Sequence, residues 1–364
     1  MSENHKMKFT VLAENHEASG LECEHGLSIF IEYKEKKYLL DAGQSGVFAR
    51  NAEKLGSDLA AVDAAFLSHA HYDHGDGFAE FFCLNGHAKV YAREEGQKQD
   101  CYSVKRAQTV SGETDKCGKK SETEKKSEAE QSDVVLTLSD TGAYGTARYI
   151  GITPEILREY TDRFCWVNEQ VEVAPGIWLV PHTTPELEKI GERTGMYREI
   201  SRNLVDKEEP QNTVLLKTPK NKCFSWNQCK EQMQGIVCEE KFQWLVPEVF
   251  QHEQSLVFET EHGLVIFNSC SHGGVANIVN EVRQALPDKN IYAYIGGFHL
   301  KAPGVQDAMN CTVQEVEALG RSLLELGIEK IYTGHCTGEQ GFQVLKGVMG
   351  EKLELLRTGL QVKF

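Results

Sequence analysis

Residues 66–77 read FLSHAHYDHGDG and place three histidines and two aspartates directly after an apolar run. The run, residues 64–67, predicts a short buried strand that ends at Ser68. Polar groups gathered in this way are costly to bury unless each finds a partner. The segment therefore constrains the chain to a fold in which a strand end opens onto a polar site.

The pattern H-x-H-x-D-H within this segment predicts a metal centre. In an extended chain, residues i and i+2 point to the same side, so His69 and His71 can approach one ion. The turn that follows directs Asp73 and His74 elsewhere, which allows a second ion. Neutral imidazole and carboxylate ligands suit Zn²⁺, Mn²⁺ or Fe²⁺.

Two further histidines can complete the ligand set. The H-x-H-x-D-H cluster supplies four ligands, and two sites of three ligands each need two more. His272 and His335 are the natural candidates. Each follows a strand-like run in a setting of small residues, NSCSHGG and YTGHCTG, where the backbone can bend tightly. The remaining histidines considered are interpreted as ordinary surface or core residues: His5, His16, His25, His87 and His262.

The chain around these motifs predicts an α/β fold. Hairpins are predicted at residues 26–43 and 255–274, and amphipathic helices alternate with strands in the last hundred residues. Thr312 and Glu315 form a capping-box signature ahead of one of these helices. This order of elements predicts two stacked mixed sheets covered by helices.

The domain organisation is predicted to be one domain, residues 1–364, with two polar insertions. Residues 105–146 contain few large apolar side chains and many Glu, Lys and Ser residues, so they are predicted to be disordered. Residues 186–245 are predicted to be a second, irregular elaboration.

The motif SHAHYDHGDG, with LLDAG upstream and the strand-end histidines downstream, resembles the metallo-β-lactamase superfamily. That resemblance implies an αββα sandwich of two mixed sheets flanked by helices, with its metals at one edge. YIGGFHL and YTGHCTG resemble more narrowly a branch of metal-dependent hydrolases labelled after dihydropterin-ribofuranosyl-aminobenzene-phosphate synthase. The resemblance covers about residues 7–105 and 146–364.

The resemblance carries over residue by residue to the metal ligands. It implies that His69 and His71 bind one ion, that Asp73 and His74 bind the second, and that His335 is the last ligand histidine. Asp73 would also orient the attacking water, which makes it a candidate catalytic residue.

Three other positions are assigned from the same resemblance, and two lie where this chain departs from it. Asp41 resembles an aspartate that supports a metal-binding histidine, and His299 resembles a histidine that binds substrate or donates a proton. His182 lies near the usual place of another ligand histidine. Many hydrolases of the superfamily carry a bridging aspartate after the strand GLVIF, but here Cys270 and His272 follow it. We expect His272 to be a ligand and Cys270 to be a ligand, a thiol beside the site, or a buried apolar residue.

The function implied is hydrolysis of a phosphoester, lactone or related ester in a small molecule. Two divalent ions, most simply zinc with manganese or iron as alternatives, would activate the water. One alternative is a phosphoribosyl-type transferase, although the sequence has no P-loop. Another is a metal-binding sensor or scaffold without catalysis. A redox function is disfavoured because Ala70 stands where iron-binding redox members carry glutamate.

Composition narrows the partners and the compartment. The net charge of −15 and the isoelectric point near 5.4 disfavour a nucleic-acid partner. The N-terminal residues lack an apolar signal core, and no run approaches the roughly 18–20 apolar residues of a membrane span. Eleven cysteines without a CxxC pair favour a reducing cytoplasm. The oligomeric state is left open.

Overall fold

The structure is a computed structural model, and it describes residues 7–16, 18–97, 100–106, 134–137, 144–200, 214–217, 242–302 and 308–364. These residues form two compact units. The first contains Met1–Gln99, Gly151–Thr194 and Val249–Phe364, and the second contains Asp100–Ile150 and Gly195–Glu248.

The strands are numbered in chain order. They are β1 (Met7–Ala13), β2 (Ser28–Tyr33), β3 (Lys36–Leu40), β4 (Ala64–Phe66), β5 (Val90–Arg93), β6 (Cys101–Arg106), β7 (Val134–Thr137), β8 (Tyr144–Tyr149), β9 (Phe164–Val167), β10 (Val171–Ala174), β11 (Ile177–Pro181), β12 (Met196–Ile200), β13 (Val214–Lys217), β14 (Phe242–Pro247), β15 (Gln254–Thr260), β16 (Gly263–Phe267), β17 (Ile291–Ile295), β18 (Lys330–Thr333), β19 (Leu353–Leu355) and β20 (Gln361–Lys363).

The α-helices are numbered in the same way. They are α1 (Val47–Leu55), α2 (Tyr72–Gly75), α3 (Phe78–Leu84), α4 (Pro154–Glu159), α5 (Leu187–Thr194), α6 (Val275–Ala285), α7 (Val313–Glu325) and α8 (Gly338–Met349). Short 3-10 turns follow or join several of them. Among the described residues, each helix is too short or too polar to cross a lipid bilayer.

The first unit contains two seven-stranded sheets. One has the strand order β20-β1-β2-β3-β4-β5-β9 and the other β10-β11-β15-β16-β17-β18-β19. Both sheets are mixed. The runs β1-β2-β3 and β10-β11-β15-β16 pair as antiparallel neighbours, whereas the runs β3-β4-β5-β9 and β16-β17-β18-β19 pair in parallel. The parallel strands matter most for function, because their carboxyl ends all meet at one edge of their sheet.

Three apolar layers hold this unit together. The central layer lies between the sheets, where Phe9 of one sheet makes an edge-to-face contact of 5.7 Å with Phe267 of the other. A second layer packs α1, α3 and α4 on the first sheet, and a third packs α6, α7 and α8 on the second sheet. The predicted αββα sandwich is therefore confirmed for this unit.

The ends of β16 and β17 approach so closely that only glycine fits between them. Gly296 has a φ of +147°, and a Cβ built there would lie 1.7 Å from the carbonyl oxygen of Asn268. Any larger residue would push the two strand ends apart. This glycine keeps the loops after the two strands side by side.

The second unit contains a closed six-stranded barrel, ordered β12-β14-β13-β7-β8-β6. Its strands lie in or directly beside the two segments predicted to be polar insertions, 105–146 and 186–245. Where they are described, these segments contain α5 and strands rather than irregular chain. Residues 107–133, 138–143, 201–213 and 218–241 lie outside the described residues, so the disorder expected for 105–146 stays a prediction there, as does the assignment of one domain.

The capping box predicted at the start of α7 is present. The Thr312 hydroxyl accepts the backbone N–H of Glu315 at 3.2 Å, and the Glu315 carboxylate accepts the backbone N–H of Thr312 at 2.7 Å. Two donors that the helix leaves open at its first turn are thereby satisfied.

We expect Thr312→Ala to lower the free energy of unfolding by about 1 kcal/mol, because the cap is lost while the buried face of α7 is unchanged. Urea unfolding followed by circular dichroism measures this difference. Thr312→Ser, which keeps the hydroxyl, is the matched control and should behave like the wild type. Equal losses in the two variants would contradict the capping role.

Candidate metal centre

Three histidines of the first unit bring unpaired ring nitrogens together. His69 and His71 follow β4 of one sheet, and His272 follows β16 of the other, so the carboxyl ends of two strands supply them. One ring nitrogen of each lies within 4.8 Å of the others, and at most 4% of any of these residues is exposed. Nε2 of His69, Nε2 of His71 and both ring nitrogens of His272 have no hydrogen-bond partner among the described residues.

Buried nitrogens without partners are costly, and an ion bound between them would remove that cost. Burial lowers the pKa of His69, His71 and His272 well below the ordinary value, and the neighbouring imidazoles lower it further. The rings are therefore neutral at neutral pH and can offer lone pairs. The donor set fits a divalent metal ion.

A second group of donors surrounds Asp73, in the short helix α2. Its Oδ2 atom lies 3.2 Å from Nε2 of His25, 3.5 Å from Nε2 of His335 and 3.6 Å from Nε2 of His74. Burial alone would raise the pKa of Asp73, but His74 and His335 hold it well below its usual range. The carboxylate is ionised, as a metal ligand must be.

Hydrogen bonds fix which nitrogen each histidine presents. The Ser68 hydroxyl donates to Asp41, so it accepts the Nδ1–H of His69 at 2.9 Å, and Asp41 accepts the Nδ1–H of His74 at 2.8 Å. Asn15 Oδ1 accepts the Nδ1–H of His335 at 3.0 Å. In each case the second ring nitrogen, Nε2, is directed toward the cluster, which is the usual arrangement behind a metal-binding histidine.

The protonation of His335 depends on Asp73. Burial lowers the pKa of His335, but the hydrogen bond to Asp73 and nearby negative charges outweigh it and raise the pKa to about 9. An ion that binds here has to displace the proton on Nε2.

Asp41 joins the loops that carry the two groups. Its Oδ1 accepts the backbone N–H of Ser68 at 2.7 Å, and its Oδ2 accepts the hydroxyls of Ser68 at 2.7 Å and Ser269 at 2.6 Å, together with His74. The residue is fully buried and has a φ of +54°. Asp41 thus bonds the His74 ring, and its contacts reach further than one histidine; its support of a metal ligand stays a prediction.

Cys270 lies at the boundary of the two groups. Its Sγ is 3.4 Å from Nε2 of His74, and it lies within 4.8 Å of a ring nitrogen of His69 and of His335. Cys336, which follows His335, is close to it and has its Sγ 3.6 Å from the Cys270 carbonyl oxygen.

His299 reaches the same region from the loop after β17. Its ring centroid is 4.3 Å from that of His272, and its Nδ1 has no hydrogen-bond partner in the described part of the chain. The backbone is held by an N–H donated to Cys336 Sγ at 3.3 Å and by a carbonyl that accepts from Asn310 at 3.0 Å. This ring is only partly buried, so it can contact a ligand from outside.

His182 does not join the cluster. Its Nδ1 bonds Glu281 at 2.7 Å, and its Nε2 lies 2.9 Å from the Ser255 hydroxyl and 3.1 Å from the Asn268 amide. Both nitrogens are thus occupied, and His182 belongs to none of the groups of converging donor atoms among the described residues. The geometry does not support the ligand role implied by resemblance. The burial of His182 is explained by these hydrogen bonds, which hold the start of the loop after β16.

His25, interpreted above as an ordinary residue, contacts the site. In addition to Asp73 it stacks on His335, with ring centroids 5.1 Å apart. Its side chain is 48% exposed, so it lies at the rim. The sequence offers no local signal for this role, because the exposed His262 outside the site is followed by glycine just as His25 is.

Two buried glutamates and one histidine that belong to no sequence motif hold the loops that carry the candidate ligands. Glu253 accepts the backbone N–H of His272 at 2.9 Å and of Gly273 at 3.0 Å. Glu14 accepts the backbone N–H of His335. His252 accepts the backbone N–H of Ala70 at 3.0 Å.

We expect Asp41→Asn to weaken metal binding by about 10- to 100-fold, because an amide nitrogen facing His74 favours the tautomer with its proton on Nε2. Competition with a chromophoric chelator measures the affinity. Ser269→Ala removes one hydrogen bond to the same carboxylate and should have a smaller effect. Unchanged affinity in Asp41→Asn would contradict the supporting role.

His16 should make folding of the metal-free chain depend on pH. Its hydrogen bond to Glu14, 2.8 Å long, raises the pKa of His16, and Glu339 lies 3.6 Å from its other nitrogen. A raised pKa means that this stabilisation is complete below about pH 6.5 and is lost as the pH rises through the folded-state pKa. Urea unfolding from pH 6 to 9 should show a smaller loss in His16→Gln than in the wild type. If the free energy of unfolding of the two proteins changed with pH in parallel, the His16–Glu14 pair would contribute nothing to the pH dependence.

A family model described as the metallo-β-lactamase superfamily matches residues 21–99, which include the H-x-H-x-D-H motif. Among curated proteins, the chain is 35% identical over 114 residues to the 7,8-dihydropterin-6-methyl-4-(β-D-ribofuranosyl)-aminobenzene-5′-phosphate synthase of Methanocaldococcus jannaschii. That match covers 31% of this chain and 36% of the synthase. An uncharacterized protein of the same organism is 37% identical over 88 residues, 23% of this chain and 34% of that protein. The chain thus matches about a third of the length of both relatives.

One solved structure is similar over nearly the whole chain. It is described as Tm1679, a metal-dependent hydrolase of the β-lactamase superfamily, and it superposes with a TM-score of 0.60 at 23% identity, covering 98% of each chain. At this identity the likeness establishes the fold.

Proposed function

We propose that this chain, which has the metallo-β-lactamase fold and matches that superfamily over residues 21–99, is a hydrolase that uses two divalent metal ions. One observation carries the proposal: buried, neutral imidazoles with unpaired nitrogens converge beside an ionised carboxylate. A scaffold that binds no metal would have no need to keep these groups in place at such a cost.

The residues divide into two ligand sets. His69, His71 and His272 would hold one ion, and Asp73, His74 and His335 would hold the other, with zinc the simplest match to the donors. When bound, divalent ions lower the pKa of water and polarise the bond under attack.

The side chains around these ligands supply orientation and proton transfer. The Asp73 carboxylate can accept a hydrogen bond from the attacking water and so orient it. His299, whose Nδ1 is unpaired in the described part of the chain, can hydrogen-bond the leaving oxygen and pass a proton to it. His25 places its Nε2 3.2 Å from Asp73 Oδ2 at the rim, where it can contact a ligand that reaches that carboxylate.

The proposed substrate is a small molecule with a phosphoester, lactone or related ester bond. A transferase is the second candidate, because the synthase of Methanocaldococcus jannaschii is 35% identical over the matched segment. Release of pyrophosphate that requires both a phosphoribosyl-type donor and an aromatic amine would favour the transferase. Turnover of an ester in water alone would favour the hydrolase.

We expect the purified wild type to bind about two ions per chain, and His71→Ala and Asp73→Asn each to lose about one of them. Hydrolysis in both variants should fall at least about 100-fold on any ester that the wild type turns over. Elemental analysis and a screen of phosphoesters and lactones measure the two effects. His262→Ala, at an exposed histidine outside the cluster, is the matched control. Full metal content with full turnover in His71→Ala would overturn the proposal.

His299→Ala should separate catalysis from metal binding. We expect kcat to fall about 100-fold because the leaving group loses its proton donor, while the metal content stays that of the wild type. A loss of metal together with activity would instead identify His299 as a ligand.

A further inference from the structure

Two buried thiols meet beside the candidate metal centre. Cys270 follows β16 and Cys336 follows β18, and their sulfur atoms lie within 4.8 Å of each other in a group of donors that also includes His335. Both cysteines are free thiols, and they are 3% and 8% exposed. The mechanism proposed above uses neither sulfur, so the pairing of the two thiols is open to another role.

The backbone around Cys270 is fixed on both sides. The Ser269 hydroxyl donates to Asp41 at 2.6 Å, and the Ser271 backbone N–H donates to the Asn268 side chain at 2.7 Å. The sulfur of Cys270 therefore changes its position by rotation of its own side chain, while the loop stays in place.

The backbone around Cys336 is fixed in the same way. Its carbonyl accepts the backbone N–H of Lys301 at 2.9 Å, and the neighbouring Thr337 hydroxyl accepts the backbone N–H of Phe298 at 2.9 Å. A Cβ at Gly297 would clash with the Cys336 sulfur, so the glycine leaves the space that this sulfur occupies. The two thiols are thus presented to each other by two fixed loops.

The distance between the sulfurs is short enough for a disulfide to close. From a separation of at most 4.8 Å, each sulfur has to move by about 1.4 Å or less to reach bonding distance when both share the movement. A change of side-chain rotamer moves a sulfur this far. Cys336 Sγ also lies 3.6 Å from the carbonyl oxygen of Cys270, so it already contacts the residue that it would bond. Groups held together in this way react far faster than the same groups on separate molecules.

We propose that Cys270 and Cys336 are a site of reversible oxidation, which hydrogen peroxide converts into a disulfide. The Cys336 sulfur attacks one peroxide oxygen, the O–O bond breaks, and the thiol proton leaves with the other oxygen as water. The Cys270 sulfur then attacks the sulfenic acid, an S–S bond replaces the S–O bond, and the Cys270 proton leaves with the hydroxyl as a second water. Two thiols are oxidised and one peroxide is reduced.

The contacts of the two sulfurs assign the order of these steps. Cys336 reacts first, because it is the more exposed residue and its sulfur accepts the backbone N–H of His299 at 3.3 Å. The Cys270 S–H donates to Nε2 of His74 at 3.4 Å, since the Nδ1–H of that ring donates to Asp41. Cys270 is then the resolving thiol, which stops the oxidation at the disulfide before a sulfinic acid forms.

The disulfide has a consequence for the candidate metal centre. It removes the S–H that Cys270 donates to His74, and it ties Cys336, and with it His335, to the loop after β16. This consequence rests on the proposed function, because it requires that His74 and His335 bind an ion. The disulfide itself does not.

Peptide mapping of the full-length protein tests the proposal. The protein is stripped of metal with a chelator and treated with a small excess of hydrogen peroxide. Its remaining thiols are alkylated, and it is digested with trypsin without reduction. Arg283 and Lys330 place the two cysteines in different tryptic peptides. We expect these peptides to be joined, and dithiothreitol to release them. Recovery of both peptides unlinked, under conditions that oxidise the exposed Cys83, would overturn the proposal.

Single variants test the order of the steps. In Cys270→Ser the sulfenic acid on Cys336 has no partner, so dimedone should label Cys336, whereas Cys270 should stay unlabelled in Cys336→Ser. Cys83→Ser removes an exposed thiol of α3 and is the matched control, which should form the disulfide as the wild type does. Label on Cys270 in Cys336→Ser, with none on Cys336 in Cys270→Ser, would overturn the order. The mapping of the unaltered protein needs neither variant, so it holds if one of them fails to fold.

Zinc affinity, measured by competition with a chromophoric chelator, tests the consequence separately. We expect the oxidised protein to bind zinc at least about tenfold more weakly than the reduced protein, because the contacts around His74 and His335 change, and dithiothreitol to restore the affinity. Equal affinity in the two forms would overturn the link to the metal centre. A disulfide that forms in a protein without specific zinc binding would support the oxidation site and overturn the proposed function.

Discussion

The site depends on one buried carboxylate. Asp41 begins the loop after β3, and it accepts hydrogen bonds from the loop after β4, from His74 of α2 and from the loop after β16. These loops come from both sheets of the sandwich. A single negative charge, compensated by four donors, therefore aligns the parts of the chain that carry the candidate metal ligands. Such a charge could not be buried without those donors, so the loops and the carboxylate require one another.

The fold and most of the residues gathered in the candidate site could be predicted, because both have local signals in the sequence. The strands and helices of the sandwich show clear periodicity, and the H-x-H-x-D-H motif lies in one short segment. His272 and His335 could be found because each follows an apolar strand. His25 could not be separated from a surface histidine, since its contact with Asp73 joins residues that are distant in sequence. His182 was assigned by likeness to a family position, and only its bonds to Glu281, Ser255 and Asn268 reveal its other role.

The second unit was the least predictable part of the chain. Its strands β7 and β13 are four residues long and stand between polar segments, so their periodicity is too short to recognise. They pair with each other and with strands on both sides, and β6 and β12 close the barrel. Non-local pairing of this kind stabilises strands that are too short to be stable alone. The average composition of residues 105–146 therefore concealed the strands within it.

Backbone conformation at the site suggests where this protein is open to engineering. Four non-glycine residues around the cluster have φ between +50° and +54°: Asp41, Ser271, His299 and His335. Such conformations cost of order 1 kcal/mol each for residues that carry a Cβ. Replacement by glycine would relieve this strain but would remove the side chains that the loops exist to present. Selection for thermostability alone would therefore be expected to erode the candidate site at these positions first, and a stabilised form of the protein is better sought in the helices that cover the sheets.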